Sequence, residues 1–310
     1  LVTGGAGFIG SNLVRALVQR AADVVVFDNL VTARSTALID DVLNQVTFIH
    51  GDIRCPEDFA RIPAGGFDVV VHLAASFANE LSTEYPAVDH RTNVEGTLHT
   101  LAHARERGCG LFVYAGSSSS YGDAPPPFHE DGPIRPLTPY AVTKHLAEEH
   151  VRSSGLPFAI FRLFNVYGPG DLPGRYRNAV PNMVWRALHG DGYIQITGAQ
   201  ATRDFTFVDD VVGYFLQADR ARGQIVNIGT GREIPVIELA RGILRALGLA
   251  EDRIRLEPAR PWDRVVRRAA NVERLQQLFE RPAATTLEAG LPGTVKWLAS
   301  SPLARASSLQ

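Results

Sequence analysis

Leu1-Val2-Thr3-Gly4-Gly5-Ala6-Gly7-Phe8-Ile9-Gly10-Ser11-Asn12 opens the chain and decides its fold. Leu1 to Thr3 reads as the tail of a buried strand, clipped at its start, so residues are expected before Leu1. Gly4, Gly7 and Gly10 then make a turn that lets a pyrophosphate approach backbone N–H groups at a helix N-terminus, where the helix dipole and the unpaired donors both favour an anion. An apolar helix pattern follows through Leu13, Leu17 and Val18, and then Val24-Val25-Val26-Phe27-Asp28, a strand ending in an acid. Together these form a βαβ dinucleotide fingerprint. Asp28 is placed to accept from both ribose hydroxyls and to repel a 2′-phosphate, which predicts NAD rather than NADP.

The alternation continues outward from this unit. Val46–Ile49 reads as a strand, Pro56–Arg61 as a short helix and Asp68–Ala75 as another strand. Apolar runs of this length between helices signal parallel strands covered on both faces. Asp52-Ile53 follows the third strand, where an adenine would lie. A long helix is expected from Ala87 to Arg107, then the strand Leu111–Ala115 running into Gly116-Ser117-Ser118-Ser119-Ser120-Tyr121-Gly122. A serine cluster can be only a turn. In an open α/β sheet, however, the carboxyl edge of the strands is where ligands sit.

Thr138-Pro139-Tyr140-Ala141-Val142-Thr143-Lys144 starts the next helix and puts Tyr140 and Lys144 one turn apart on the same face. Such a pair can make a base. A tyrosine titrates near pH ~10, and lowering it by about three to work near neutrality requires about 4 kcal/mol of preference for the anion. One cation at ~4 Å, at an effective dielectric of about 20, supplies roughly that. A bound oxidised nicotinamide would add a second positive charge.

Beyond the strand Phe158–Phe164 the regular alternation stops at about Gly170. A helix near Val180–Leu188, strands at Tyr193–Thr197 and Gln224–Ile228, a helix at Pro235–Leu247 and a basic segment from Arg260 to Arg268 follow, and Ala304–Gln310 reads as a frayed tail. The expected fold is a Rossmann-type, doubly wound, mostly parallel α/β sheet with a smaller C-terminal α/β substrate-binding domain. Its nucleotide-binding domain would span residues 1–169, with 203–228 returning to it, and the substrate domain would take 170–202 and 229–310.

Composition narrows the function classes. With 310 residues, 45% of them apolar, and a formal charge of −2, the chain has no charge excess for a nucleic-acid partner. No uncharged apolar run reaches the ~18 residues of a membrane span, and no secretory segment is seen, so a cytoplasmic location is expected. Cys55 and Cys109 lack metal-ligand spacing and read as free thiols of a reducing compartment. No metal site is expected.

Taken in order, these pieces resemble the extended short-chain dehydrogenase/reductase family, in its NAD-dependent nucleotide-sugar epimerase/dehydratase branch (UDP-glucose 4-epimerase-like), over nearly the whole chain to about Trp297. The motifs that carry the resemblance are Thr3 to Gly10, Asp28-Asn29-Leu30, His72-Leu73-Ala74-Ala75, Asn93-Val94-Glu95-Gly96-Thr97, the serine run to Tyr121-Gly122, Tyr140 to Lys144, Phe164-Asn165-Val166-Tyr167-Gly168-Pro169, Arg203-Asp204-Phe205 and Asn227 to Gly231. It implies that Tyr140 is the base, that Lys144 binds the nicotinamide ribose and holds Tyr140 anionic, and that Ser117 grips the same sugar oxygen. Gly4, Gly7, Phe8, Ile9, Gly10, Asp28, Asn29, Asp52, Ile53, Leu73, Ala74, Ala75 and Asn93 would hold NAD together with Tyr140 and Lys144. Phe77, Ser117, Ser118, Asn165, Arg203, Arg260 and Asp263 would face the nucleotide sugar. Arg203 beside Asp204 also reads as a surface pair, and Arg260 as a solvated arginine.

Family members resembling 4,6-dehydratases carry Asp-Glu directly after the catalytic residue, and the decarboxylases usually keep the Glu. Here Ser118 and Ser119 stand there. The resemblance therefore implies a UDP-sugar 4-epimerase, with a dehydrogenase/reductase, a decarboxylase or a non-catalytic NAD-binding protein as alternatives. Phe77 stands where galactose epimerases carry a Lys, Gly116 where a Ser is usual, and Trp262 interrupts an Arg-Pro-Gly-Asp pattern, so the sugar and the base stay open. Arg264, Arg267 and Arg268 read as a solvated basic face, with recognition of an acidic sugar as the alternative. A homodimer is expected through the helices near Ala87–Arg107 and Tyr140–Arg152, with Leu98, Leu101, Leu146 and Val151 as apolar surface or as core.

Overall fold

The structure, a computed structural model, describes residues 1–198, 200–258, 265–280 and 284–307. The strands run in chain order as Val2–Thr3 (β1), Val25–Asp28 (β2), Thr47–His50 (β3), Val69–His72 (β4), Leu111–Ser117 (β5), Phe158–Leu163 (β6), Val166–Tyr167 (β7), Ile194–Thr197 (β8), Thr202–Arg203 (β9), Thr206–Phe207 (β10), Ile225–Ile228 (β11), Ile234–Pro235 (β12) and Ile254–Glu257 (β13). Seven of them form one sheet in the order β11-β6-β5-β4-β1-β2-β3, every pair parallel. The order reverses between β1 and β4, so the crevice at the carboxyl end of β1 is the natural ligand position.

Helices cover both faces, as the continuous apolar strands require. Phe8–Gln19 (α1) packs with Val208–Phe215 on one side, where Leu13, Val14, Val26, Phe161, Val211 and Phe215 share a core. On the other side Phe27, Val70, Phe112, Tyr114 and Ile160 meet Leu101, Ala147 and Val151. A further apolar cluster lies outside the large sheet: Val180, Val184, Ile194, Ile196, Leu239, Ile243, Leu291 and Val295 are all buried together.

The helical stretch after β4 departs from the single long helix expected. It is divided into Asn79–Glu84 (α2), Pro86–His90 (α3), a π-helical turn at Arg91–Glu95 and Gly96–Glu106 (α4). A π turn widens one turn of the backbone and commonly marks a functional position; here it carries Asn93. Leu101 and Val151, offered as surface or core, are core at 4% and 0% exposure, whereas Leu98 and Leu146 are exposed.

The C-terminal tail is ordered further than its composition suggested. Pro302–Ala306 is a helix capped by Ser301, Ala304 is buried, and the carbonyl of Ser307 accepts from Trp185 Nε1 at 3.1 Å. Burial of one small apolar face outweighs the low local helix signal.

Candidate active site

The glycine turn follows β1 directly. Gly4 has φ +71°, and a Cβ there would stand 2.6 Å from the amide of Ala74. At Gly10 a Cβ would lie 2.1 Å from the carbonyl of Gly4, so only glycine lets α1 start this close to the strand. The first-turn N–H groups of Phe8 and Ile9 have no intrahelical acceptor. A cradle that no side chain can fill, beneath bare amides, fits a diphosphate.

Asp28 ends β2 and is nearly buried. Its Oδ2 accepts from Ala6 N at 3.0 Å and its Oδ1 from Leu30 N at 2.8 Å. Burial pushes its pKa up, with those two backbone bonds opposing. A carboxylate has about four lone-pair sites, so acceptor capacity remains for ribose hydroxyls. Asn29 donates to Asp52 Oδ2 at 3.0 Å, and Asp52 is clamped by Arg54 at 2.6 Å. Burial works against that carboxylate, but Arg54 and Asn29 hold its pKa down at about 2. Ile53 is buried just behind, against Gly96.

Leu73, Ala74 and Ala75 leave β4 beside the glycine turn. The amides of Leu73 and Ala74 donate to Thr3 O and Thr3 Oγ1 at 3.1 and 3.3 Å. His72 at the strand's end is buried between two threonines, with Nδ1 at 2.7 Å from Thr3 Oγ1 and Nε2 at 3.0 Å from Thr97 Oγ1. Thr97 donates to the carbonyl of Asn93, so Nε2 carries the proton and Nδ1 accepts. Burial, reinforced by the charge of Lys144, drops the His72 pKa to about 3. Asn93 itself pairs with the backbone of Ser76 at 2.9 and 3.0 Å and donates to Thr143 Oγ1 at 3.1 Å.

Pro139–Ser153 (α5) brings Tyr140 and Lys144 to this edge. Thr138 caps it through a 3.3 Å bond from Ala141 N, and Tyr140 N donates to Ser82 Oγ at 3.1 Å. The helix is fixed to the sheet by a buried pair: Glu148 takes two bonds from Arg162 on β6, at 3.0 and 2.5 Å, and Arg162 also donates to Tyr121 Oη at 2.7 Å. Ser117 ends β5, its Oγ accepting from Ser119 N at 3.1 Å.

The electrostatics differ from the simple cation-on-tyrosine expectation. Burial raises the Tyr140 pKa; a hydrogen bond from Ser117 and the charge of Arg268 pull it down, and Asp89 pushes it up. Lys144 is directed instead onto the ring of Tyr114, with Nζ 4.3 Å from its centroid. Burial lowers the Lys144 pKa to about 7, against the pull of Asp89 and Glu148. One helical turn sets the two side chains on one face, but packing against β5 decides where the ammonium goes. Asp89 is wholly buried and accepts from Thr143 Oγ1 at 2.5 Å.

Arg268 is the residue that sequence reasoning misplaced. Its Nη1 donates to Ser119 Oγ at 3.3 Å, and its charge acts on Tyr140, so it belongs to the site and not to a solvated face. Arg267 is the surface member of the pair, bound to Glu233 at 2.7 and 2.9 Å. Arg203 donates to the carbonyls of Thr202 and Val266 at 2.9 and 3.3 Å. Asp204, its sequence neighbour, is fully buried and accepts from Thr230, Gly231 and Ala270, so the two do not act as a surface pair. Asn165 donates to the carbonyl of Asp204 at 3.1 Å. Ser118 is buried beside Ser117, and Phe77 lies under the guanidinium of Arg177. Arg260, Trp262, Asp263 and Arg264 lie outside the described residues.

A parallel sheet with a switch point, a glycine cradle and a Tyr-x-x-x-Lys helix beside a strand-end serine defines the class of Rossmann-type short-chain dehydrogenases/reductases. The sequence profile of the NAD dependent epimerase/dehydratase family matches residues 1–229. The chain belongs to that family, and its cofactor is NAD. It is 32% identical over 306 residues to the UDP-glucose 4-epimerase of Mycolicibacterium smegmatis, covering 96% of this chain and 97% of that protein. It is 30% identical over 312 residues to the UDP-N-acetyl-alpha-D-glucosaminuronate decarboxylase of Bacillus cytotoxicus, covering 96% of each. The UDP-glucose 4-epimerase of Thermus thermophilus, solved in complex with NAD, superposes with a TM-score of 0.87 at 30% identity, covering 97% of this chain and 98% of that one.

Proposed function

We propose that this chain is an NAD-dependent nucleotide-sugar 4-epimerase that acts on a UDP-sugar through a transient 4-keto sugar. The observation that carries it is the end of β5. Ser117 addresses Tyr140, and the residues after it, Ser118, Ser119 and Ser120, are buried and include no acid. Removing water from neighbouring carbons needs a further acid and base. Inversion at one carbon needs only one proton acceptor and a hydride partner.

Gly4, Gly7, Phe8, Ile9 and Gly10 would hold the NAD diphosphate, Asp28 and Asn29 a ribose, Asp52 and Ile53 the adenine, and Leu73, Ala74, Ala75, Asn93, Tyr140 and Lys144 the nicotinamide half. Bound NAD would supply reversible hydride exchange at the sugar carbon. Tyr140 Oη takes the proton of the C4 hydroxyl, and the Ser117 hydroxyl bonds the same oxygen, so the developing charge is held from two sides. The Ser117 hydroxyl and Arg268 make the anionic phenol less costly, while Lys144, turned onto the Tyr114 ring, would bind the nicotinamide ribose. The proton stays on Tyr140 until the carbonyl has presented its other face, and is then returned.

Asn165 and Arg203, with Arg260 and Asp263, would bind the diphosphate and nucleoside, and Phe77 and Ser118 would border the sugar. Residues 1–169 with 203–228 would serve as the NAD domain, and 170–202 with 229–310 as the substrate domain. UDP stands in the names of more of the relatives than dTDP does, which supports uridine as the base, and a cytoplasmic homodimer completes the reading. Among the described residues no helix is long and apolar enough to cross a membrane. Arg268 suits a sugar bearing an acidic group, so UDP-uronic acids belong in the substrate panel.

The test is to incubate the purified protein with a panel of nucleotide sugars, following products by NMR and NADH by absorbance together. A C4-inverted product without net NADH is expected. Accumulating NADH or a stable keto-sugar would make the protein a dehydrogenase, and loss of CO2 from a uronic acid would make it a decarboxylase.

A further inference from the structure

Arg177 lies over the ring of Phe77, with its guanidinium carbon 5.4 Å from the centroid, and donates from Nη2 to the carbonyl of Thr32. Thr32 belongs to the loop after β2, and Phe77 to the loop after β4, so one side chain spans the two banks of the crevice above β1. Its neighbours in sequence hold the same span from the other end. Arg175 Nη2 and Tyr176 Oη both bind Glu84 on α2, at 3.0 and 2.6 Å. The segment starts against the first turn of α1: Asn12 Nδ2 donates to Pro169 O at 2.9 Å, and a Cβ on Gly170 would stand 3.5 Å from the ring of Phe8.

The charge here is unbalanced. Arg175 is in an ion pair, but among the described residues neither Arg177 nor Arg34 has a carboxylate within salt-bridge distance. Arg34, two residues past Thr32, repels Arg177. Asp171 is the acid that acts on Arg177, its pull outweighing the repulsion from Arg34, and burial pushes its own pKa up to about 7, so near neutrality it carries only part of a charge against two arginines. Arg177, partly buried at the crevice mouth, with the exposed Arg34 beside it, suits a multiply charged anion, because guanidinium forks match phosphate oxygens.

We infer that Arg177, with Arg34 beside it, closes a strap over the diphosphate of NAD from the side opposite the glycine turn and slows release of the cofactor. The inference rests on NAD as the cofactor and not on which sugar reaction follows. Thr32 and Arg34 follow Asp28 on the cofactor side, and the strap's root is on α1, which favours the dinucleotide. The nucleotide sugar carries the same diphosphate chemistry, and the test separates the two.

The test uses the protein as purified with its NAD. Bound NAD per chain and its release rate into excess competing nucleotide are measured, with UDP affinity taken by calorimetry. Arg177→Gln keeps a donor for Thr32 and removes the charge. It is expected to speed NAD release by about tenfold, 1.4 kcal/mol, and to leave UDP affinity within about twofold. Adding Phe77→Lys puts an ammonium where the guanidinium lay, and should restore slow release. Wild-type release from Arg177→Gln would overturn the inference, as would weaker UDP binding with unchanged NAD release, or a fast release that Phe77→Lys leaves uncorrected.

Discussion

At the residue scale, the chemistry turns on how strongly Tyr140 resists losing its proton. Burial opposes the anion, and Arg268 and Ser117 favour it. Tyr140→Phe should lower turnover by at least ~10²–10⁴-fold, the usual worth of a positioned base, with bound NAD retained. NAD content and rate measured on the same preparation check both parts. Arg268→Gln removes a cation that lowers the Tyr140 pKa, so the limb of the rate profile that needs the phenolate should move to higher pH. A profile that stays in place would show that Arg268 serves substrate binding alone. His72 offers a stability test. Its folded pKa of about 3 lies below its unfolded value near 6.5, so between those limits the unfolded chain binds the extra proton. Stability from this group is therefore full above pH ~6.5 and is lost as pH falls toward ~3, with a limiting slope of about 1.4 kcal/mol per pH unit. His72→Asn should flatten that limb in denaturant titrations, by comparison with the native chain.

At the element scale, α5 is held by the Arg162–Glu148 pair, which is 3% and 0% exposed at its side chains. Arg162→Met leaves a buried carboxylate without its partner and also frees Tyr121, so a loss of about 3–5 kcal/mol is expected in urea unfolding. Elements whose own residues announced them were legible: the glycine turn, the Val25–Asp28 strand and the Pro139 helix start all follow from local rules. The π turn at Arg91–Glu95 was not, because its cause is tertiary. Asn93 reaches the Ser76 backbone and Thr143, partners invisible in a helix-favouring run. Arg268 was hidden for the same reason. Nothing in a cluster of arginines tells which one turns inward to Ser119 and which pairs with Glu233.

At the scale of the whole molecule, the sheet order and the position of the crevice were readable from strand-helix alternation. The direction of Lys144 and the strap across residues 168–178 depend on packing between segments far apart in sequence. Val88, Leu98, Val142 and Leu146 stay 39–47% exposed on neighbouring helices, the apolar surface that a homodimer would cover. Light scattering at micromolar concentration should report a dimer, and Leu98→Asp with Leu146→Asp should give a folded monomer. A wild-type monomer would remove the dimer from the proposal and leave the site unchanged.

The central proposal, oxidation and re-reduction at one carbon, is tested most directly with a UDP-sugar deuterated at C4. Mass and NMR analysis of the inverted product should find the label still at C4, with none in free NADH or solvent. Label recovered in free NADH would show a one-way dehydrogenase, and label carried to C6 would show elimination; either would contradict an epimerase built on Ser117, Tyr140 and Lys144.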